Sequence, residues 1–424
     1  MYAKFKEYWE KIGPGLVVGA ADDDPSGIAT YSQTGAQYGF SLLWTALFTF
    51  PFMAVIQEMC ARIGIVTNRG LAGTIRMYCP PVVLYTATIC LVIANTFNIG
   101  ADISAIGEAT QLLLPKISIL AIVIIFTILS LVLQIFIPYQ QYARYLKYLA
   151  FVLVVYIIAG LSIDLNWSDA LYATFIPHFN FSKDSILLLC ALFGTSITPY
   201  CFFWQTSQEV EEKIAHRSGK NFVGAEINEN DTKHAVKDMR FDVWTGMFFS
   251  NLTMFFIIAV CGAVLFPHGI TNIQTAAQAA QALLPFAGQA TYFLFTMGIV
   301  GTGLLAVPIL AGSSAYAIAE TFRFKEGLYN KYHEARAFYG VIIISMFVGL
   351  GITFVGVPPM KALLYSAMLN GIIAPLLLMV IVYLASKESL MGKWKNTKLQ
   401  SSLGWFITSI MTFASVATIY FLIG

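Results

Sequence analysis

Charged side chains are scarce in this sequence: only 11% of its 424 residues are Asp, Glu, Lys or Arg, against about 25% in soluble domains. Long hydrophilic stretches are missing as well, which leaves no room for an independent catalytic domain. There is no nucleophile–base set and no phosphate-binding loop, so an enzyme is the weakest class. The six cysteines, at 60, 79, 90, 190, 201 and 261, contain no metal-type Cys-x-x-Cys pair and read as small packing residues. No repeated filter or ring-forming motif points to an ion channel. A small-residue cleavage site is absent after the basic amino terminus, so the first apolar stretch reads as a retained span and not a removable signal. What the chain has is apolar surface: 58% of it is hydrophobic and its mean hydropathy is +0.71. That composition predicts an all-α polytopic membrane protein.

Eleven spans are expected, centred near residues 25, 54, 97, 127, 153, 196, 254, 306, 344, 373 and 413. With the amino terminus inside, 22 of the 25 Lys and Arg residues fall on the inner side, and only Lys116, Lys183 and Lys361 lie outside. The positive-inside rule then predicts a multi-pass plasma (inner) membrane protein with a cytoplasmic amino terminus and an extracytoplasmic carboxyl terminus. The largest hydrophilic insertion, about Glu211 to Asp242, is expected inside as part helix and part solvated linker. The segment from Asn166 to Lys183 is expected outside as an interfacial loop.

Two spans carry breaks. Asp22-Asp23-Asp24-Pro25-Ser26-Gly27 interrupts the first, and Gly194-Thr195-Ser196-Ile197-Thr198-Pro199-Tyr200 interrupts the sixth. Proline removes an N–H donor and glycine weakens a helix. The freed backbone groups cannot be satisfied by lipid, so they must be buried in protein or line a watery cavity. Paired breaks in corresponding helices of two halves point to a transporter's substrate site. Five spans per half force opposite topologies, so about 12–165 and 183–388 read as inverted repeats within one transport domain of residues 1–400, with 401–424 an added helix. Asp24 lies ten residues past Pro14, roughly 15 Å along a helix and so about halfway through a core of about 30 Å.

A carboxylate at that depth costs about 2.5–3.5 kcal/mol even on lenient scales, so it calls for a function. Asp24 is the best-placed cation ligand, and the alternative is a carboxylate that merely caps the kink. Asp22 and Asp23 are expected to face the vestibule, where negative charge concentrates cations. Thr195 and Thr198 offer carbonyls and hydroxyls. No Met, Cys or His lies between Thr195 and Tyr200, with Cys201 just beyond. One carboxylate plus oxygens and water suits a hard ion such as Mg²⁺ or Ca²⁺ over a soft transition metal. Asn370-Gly371, followed by Pro375, marks a weak point in the tenth span and a candidate far wall of the site. For Glu58, Asn95, Asn98, Asp102, Glu108, Glu209, Glu320 and Asn370 a functional role and a helix–helix hydrogen bond or pairing with a nearby Arg or Lys weigh equally. Gly301-Thr302-Gly303 and Gly312 are expected to mark close helix packing.

Gly13-Pro14-Gly15 leading to Asp24-Pro25-Ser26-Gly27-Ile28-Ala29-Thr30 resembles the start of the Nramp family of divalent-metal transporters, whose first helix carries Asp-Pro-Gly-Asn. The second break resembles that family's Ala-x-x-Met-Pro-His segment. The resemblance covers spans one to ten and implies a LeuT-type fold of five plus five inverted helices with a divalent-cation substrate. It places the family's metal-binding Asp on Asp24, its Asn ligand on Gly27, its carbonyl-donating Ala on Thr195 and its soft Met ligand on Thr198. The two histidines of the sixth helix fall on Tyr200 and Gln205, and the acidic pair of the third helix on Asn95 and Asn98. These departures resemble the Nramp-related magnesium transporter branch, which implies a largely hydrated ion carried without proton coupling. The expected metal-site residues are thus Asp24, Gly27, Thr195, Thr198, Tyr200 and Asn370, with no catalytic group and no cofactor. Mg²⁺ or Mn²⁺ is the expected substrate, the lipid bilayer the partner, and the monomer the working unit, with no nucleic acid involved. A proton-coupled Mn²⁺/Fe²⁺ importer and an amino-acid or organic-cation transporter of the same fold are the alternatives; three consecutive Asp argue against an anionic group.

Overall fold

The computed structural model describes residues 13–137, 139–178, 182–218, 229–271, 273 and 276–423. Among them the regular structure is entirely helical. Helices α1 (Pro14–Asp22) and α2 (Pro25–Tyr38) make the first span, and α3 (Trp44–Thr67) the second. A short helix, α4 (Leu71–Tyr78), precedes α5 (Pro81–Leu113), α6 (Ile119–Phe136), α7 (Tyr139–Leu149) and α8 (Val154–Leu161), the last two joined by a 3₁₀ turn. The second half runs through α9 (Trp167–Phe175), α10 (Lys183–Ser196), α11 (Pro199–Ser218), α12 (Glu229–Val264) and α13 (Ala276–Phe322). It ends with α14 (Arg336–Ile352), α15 (Pro359–Ser386), α16 (Glu388–Met391) and α17 (Lys398–Ile423).

Among the described residues, nine helices are long and apolar enough to cross a membrane. Two expected spans fall outside that set for local reasons. The first is split into pieces of 9 and 14 residues, and α14 has only 17 residues. Both breaks end at a proline that opens the following helix, Pro25 and Pro199. Proline suits the first helical position because its missing N–H would have been unpaired there.

One expectation about the connections needs correction. The segment from Asn166 to Lys183 is not simply a loop: α9 forms within it because the Asn166 side chain accepts from the Asp169 N–H and caps the start. The insertion between Glu211 and Asp242 is helical up to Ser218 and again from Glu229; residues 219–228 lie outside the described part.

The outer faces of the bundle are apolar, with Ile125, Ile128, Phe136, Phe347 and Phe413 all exposed, as a lipid-facing surface requires. Inside, small residues let helix backbones meet. A Cβ on Gly15 would come within 2.6 Å of the Val243 backbone, so α1 lies directly on α12. Gly371 lies as close to the Cys190 carbonyl, so α15 lies on α10. Gly301, Gly303 and Gly312 abut Val152, Ile106 and Trp204, which places them at helix contacts.

Long-range polar contacts fix the helix ends. Asp242 of α12 accepts the Gly15 N–H at 2.6 Å and the Leu16 N–H at 3.1 Å. Those donors open α1 and have no partner within their own helix. Glu58 of α3 is held by Arg240 at 2.8 Å, Trp244 at 2.9 Å and Gln400 at 2.9 Å. Arg62, one turn on, pairs with Glu58 at 3.4 Å and with Asn396. This network ties α3 to α12 and to the start of α17.

A candidate cation site between two helix breaks

The two breaks lie side by side. The Thr198 hydroxyl donates to Asp22 Oδ1 at 2.5 Å, and the Tyr200 hydroxyl donates to the Ala21 carbonyl at 2.5 Å. A Cβ on Gly27 would sit 2.9 Å from Thr195 Oγ1. Glycine at that position therefore allows the start of α2 to approach the end of α10.

Asp24 is the N-cap of α2, with extended backbone. Its Oδ1 accepts from the Gly27 N–H at 2.8 Å and the Ser26 hydroxyl at 2.6 Å. Its Oδ2 accepts from Asn98 Nδ2 at 2.7 Å. No Arg or Lys pairs with it among the described residues. The capping role and a buried carboxylate without a cationic partner thus coexist in one side chain.

Sequence reasoning missed the contribution of α5. Asn98 bridges Asp24 and the Ser366 hydroxyl of α15. Asp102, one helical turn further, is fully buried, and neither of its oxygens has a hydrogen-bond partner. The spacing of Asn98 and Asp102 on one face of the third span was the available signal. Asn95 is turned elsewhere: its amide donates to Ser313, Ser314 and the Leu310 carbonyl of α13. The two asparagines thus have different tasks, and only Asn98 touches the break.

The other expected residues divide. Thr198 lies at the site but is engaged, its one hydroxyl proton shared between Asp22 Oδ1 at 2.5 Å and the Thr195 carbonyl at 2.9 Å. That carbonyl keeps one free lone pair, and the Thr195 hydroxyl has no partner. Tyr200 does not shape an open cavity. It caps the Ala21 carbonyl near the end of α1, because that helix stops at Asp22 and leaves its last carbonyls without partners in the helix. Asn370 is 1% exposed and neither of its amide atoms has a partner. Gln205 donates to Glu209 at 2.7 Å, away from the break. Sulfur is near the breaks, with Cys201 Sγ 3.7 Å from Asp22 Oδ1 and Met254 Sδ 3.6 Å from the Ser196 hydroxyl, while the partners of Asp24 are nitrogens and an oxygen.

Asp24, Thr195, Thr198, Tyr200 and Asn370 are each at most 1% exposed. The break is therefore closed, and the roomy hydrated space expected from the sequence is not open in this conformation. Among the described residues no three His, Cys, Asp or Glu side chains converge as a metal cage. An ion bound here would rely on one or two carboxylates, carbonyls, amide oxygens and its own waters, and its entry requires the half-helices to move.

Comparison with known proteins gives the family and the fold. The family model described as "Nramp: Natural resistance-associated macrophage protein-like" matches residues 15–421. The divalent metal cation transporter MntH of Klebsiella pneumoniae is 24% identical over 407 residues, covering 94% of this chain and 91% of its own. MntH of Verminephrobacter eiseniae is 23% identical over 413 residues, covering 96% and 87%. Among solved structures, the Eremococcus coleocola manganese transporter superposes with a TM-score of 0.75 at 18% identity, covering 99% of this chain and 88% of that one. Mhp1, a nucleobase-cation-symport-1 family transporter, superposes with a TM-score of 0.57 at 16% identity, covering 97% and 91%. These likenesses support a LeuT-type fold with the first and sixth helices broken.

Proposed function

The chain belongs to the Nramp family of divalent metal cation transporters, and from that premise we propose that it imports a hard divalent ion, Mg²⁺ with Mn²⁺ as a second substrate, by alternating access and without proton coupling. The observation that carries this reading is the chemistry around Asp24. It is a buried carboxylate at an unwound elbow, unpaired with any Lys or Arg among the described residues, and hydrogen-bonded only by oxygen and nitrogen groups. Position 198, where a soft ligand would select transition metals, is a threonine. Mg²⁺ gives up water reluctantly and keeps several waters when bound. Few side-chain ligands then suffice, provided the half-helices separate enough to admit the hydrated ion.

In this proposal Asp24 supplies the charge, the Thr195 carbonyl a ligand, and Asn370 a partner for a bound water. Thr198 and Tyr200 hold the two breaks in register, and Gly27 lets them close. Spans one and six rock against the rest of the bundle to open and close the site, with the amino terminus in the cytoplasm. The membrane potential suffices as driving force. A divalent ion gains about 4.6 kcal/mol at 100 mV, which sustains roughly a thousandfold accumulation.

Asp102 favours a second reading, proton-coupled Mn²⁺ or Fe²⁺ import. A buried carboxylate without a hydrogen-bond partner is a natural proton carrier. One experiment separates the two: flux of Mg²⁺, Mn²⁺ and Ca²⁺ into proteoliposomes with the internal pH recorded. Mg²⁺ uptake at constant lumenal pH supports the first reading. Metal-linked acidification of the lumen, or Mn²⁺ uptake with Mg²⁺ excluded, overturns it.

A further inference from the structure

A carboxylate has about four lone-pair sites, shared between its two oxygens. At Asp24 most of them are taken. Oδ1 accepts the Ser26 hydroxyl at 2.6 Å and the Gly27 N–H at 2.8 Å. Both donors belong to the first turn of α2, so Oδ1 is committed to capping that helix. Oδ2 accepts the Asn98 side-chain amide at 2.7 Å. The lone pair left for an ion is therefore on Oδ2, beside Asn98.

Asn98 is itself held from behind. The Ser366 hydroxyl of α15 donates to its Oδ1, and both residues are at most 1% exposed. Turning the amide over would set its oxygen against the Asp24 carboxylate, so the two bonds together hold one orientation. Neither residue of this clamp sits on a broken helix. Gly100 brings α5 against α14, since a Cβ there would come within 2.7 Å of the Gly349 carbonyl. The Ser415 hydroxyl of α17 donates to the Gly371 carbonyl of α15 at 2.8 Å. Groups carried on packed helices hold their geometry better than groups on loops.

We infer that Asn98, positioned by Ser366, sets the specificity of the ion site: it restricts what Asp24 can offer to one lone pair and so disfavours Ca²⁺ against Mg²⁺ and Mn²⁺. This rests on the reading that the ion is carried at Asp24. Mg²⁺ keeps several of its waters and is satisfied by one or two carboxylates. A single lone pair serves it, either directly or through a bound water that donates to the carboxylate. Ca²⁺ gathers about 6–8 oxygens and often takes both oxygens of one carboxylate. Bidentate contact at Asp24 would compete with Asn98 on Oδ2 and with Ser26 and Gly27 on Oδ1. A water in the place of the Asn98 amide could be displaced; an amide clamped at both ends cannot leave. The discrimination comes from a donor that obstructs the wrong ion.

The test is initial-rate uptake of Mg²⁺ or Mn²⁺ into proteoliposomes with Ca²⁺ as competitor. The readout is the ratio of half-inhibiting Ca²⁺ to half-saturating substrate ion. For the wild-type chain that ratio is expected to exceed about ten. Asn98→Ala, which replaces the amide by room for an exchangeable water, should lower it about tenfold. Ser366→Ala frees the amide to turn and should lower the ratio by a smaller factor; it carries the test if the Asn98 variant does not fold. Loosened packing alone slows uptake without favouring Ca²⁺, so the ratio separates positioning from a structural role. A wild-type ratio near one, or a ratio unchanged within about twofold in the folded variants, overturns the proposal. Asp24→Asn keeps the two possible failures apart. Uptake lost in that variant, with the ratio unchanged in Asn98→Ala, leaves Asp24 as the ion's ligand and removes only the clamp. Wild-type uptake in Asp24→Asn removes the reading of the site itself.

Discussion

Replacing Asp24 by Asn separates the two things this side chain does. Asn caps helices about as well as Asp. The substituted amide keeps an oxygen for the Ser26 hydroxyl and the Gly27 N–H, now at 2.6 and 2.8 Å. It places an NH₂ group opposite Asn98, whose own amide can turn to offer its oxygen. The start of α2 is therefore retained, whereas Asp24→Ala would lose the cap as well, at about 1 kcal/mol. The charge is what disappears. With one water between ion and carboxylate, a separation of about 4 Å and an effective dielectric of about 20, a divalent ion and one carboxylate attract by roughly 8 kcal/mol. Desolvation offsets most of this. If about 3 kcal/mol survives, neutralisation weakens binding roughly a hundredfold. The assay is initial-rate Mg²⁺ and Mn²⁺ uptake into proteoliposomes at sub-saturating ion, with a melting curve of the same preparation. The expected result is uptake reduced by a factor of about a hundred and a melting temperature within a few degrees of wild type. Uptake above one-third of wild type in a folded Asp24→Asn protein would show that Asp24 is only a cap.

Gly27→Ala should reduce uptake, because its Cβ would press on Thr195 Oγ1 at 2.9 Å; Thr195→Ala in the same chain should restore part of the rate, and an unaffected single variant would refute the close approach. Glu58→Ala strands Arg62, which is 3% exposed, and should destabilise by about 3–5 kcal/mol, read as a lowered melting temperature; a change below 1 kcal/mol would contradict the network. Glu326, in the turn after α13, is held above the ordinary carboxylate range by burial first and then by the Glu320 charge, with Glu211 adding and Arg76 opposing. The folded state then binds more protons than the unfolded one above the unfolded pKa, so this group's contribution to stability falls as pH rises from about 5 towards its raised value. Glu326→Gln should flatten that slope between pH 5 and 9, and an unchanged slope would exclude Glu326 as its source.

The spans, the two breaks and the place of Asp24 at the first of them were legible in the sequence because each rests on local physics. Hydropathy requires about twenty apolar residues per crossing, and proline or glycine inside such a stretch frees backbone wherever the helix is placed. The lipid-facing surface follows from composition alone. What the sequence could not show is which side of each helix meets which neighbour. Asn95 and Asn98 are three residues apart, yet one serves α13 and the other bridges Asp24 to α15. Tyr200 reads as part of a cavity until the end of α1 is placed against it. Asp242 caps a helix that begins 228 positions before it, a contact with no sequence signal. Asp22, Asp23 and Asp24 are identical in type and adjacent, but the turn between α1 and α2 sends them to Thr198, to no hydrogen-bond partner, and to Asn98 respectively. Local sequence determines that a helix must break and that oxygen ligands are present. The packing of distant helices around the break decides which oxygens face which others, because each carboxylate's role depends on donors that approach from remote parts of the chain.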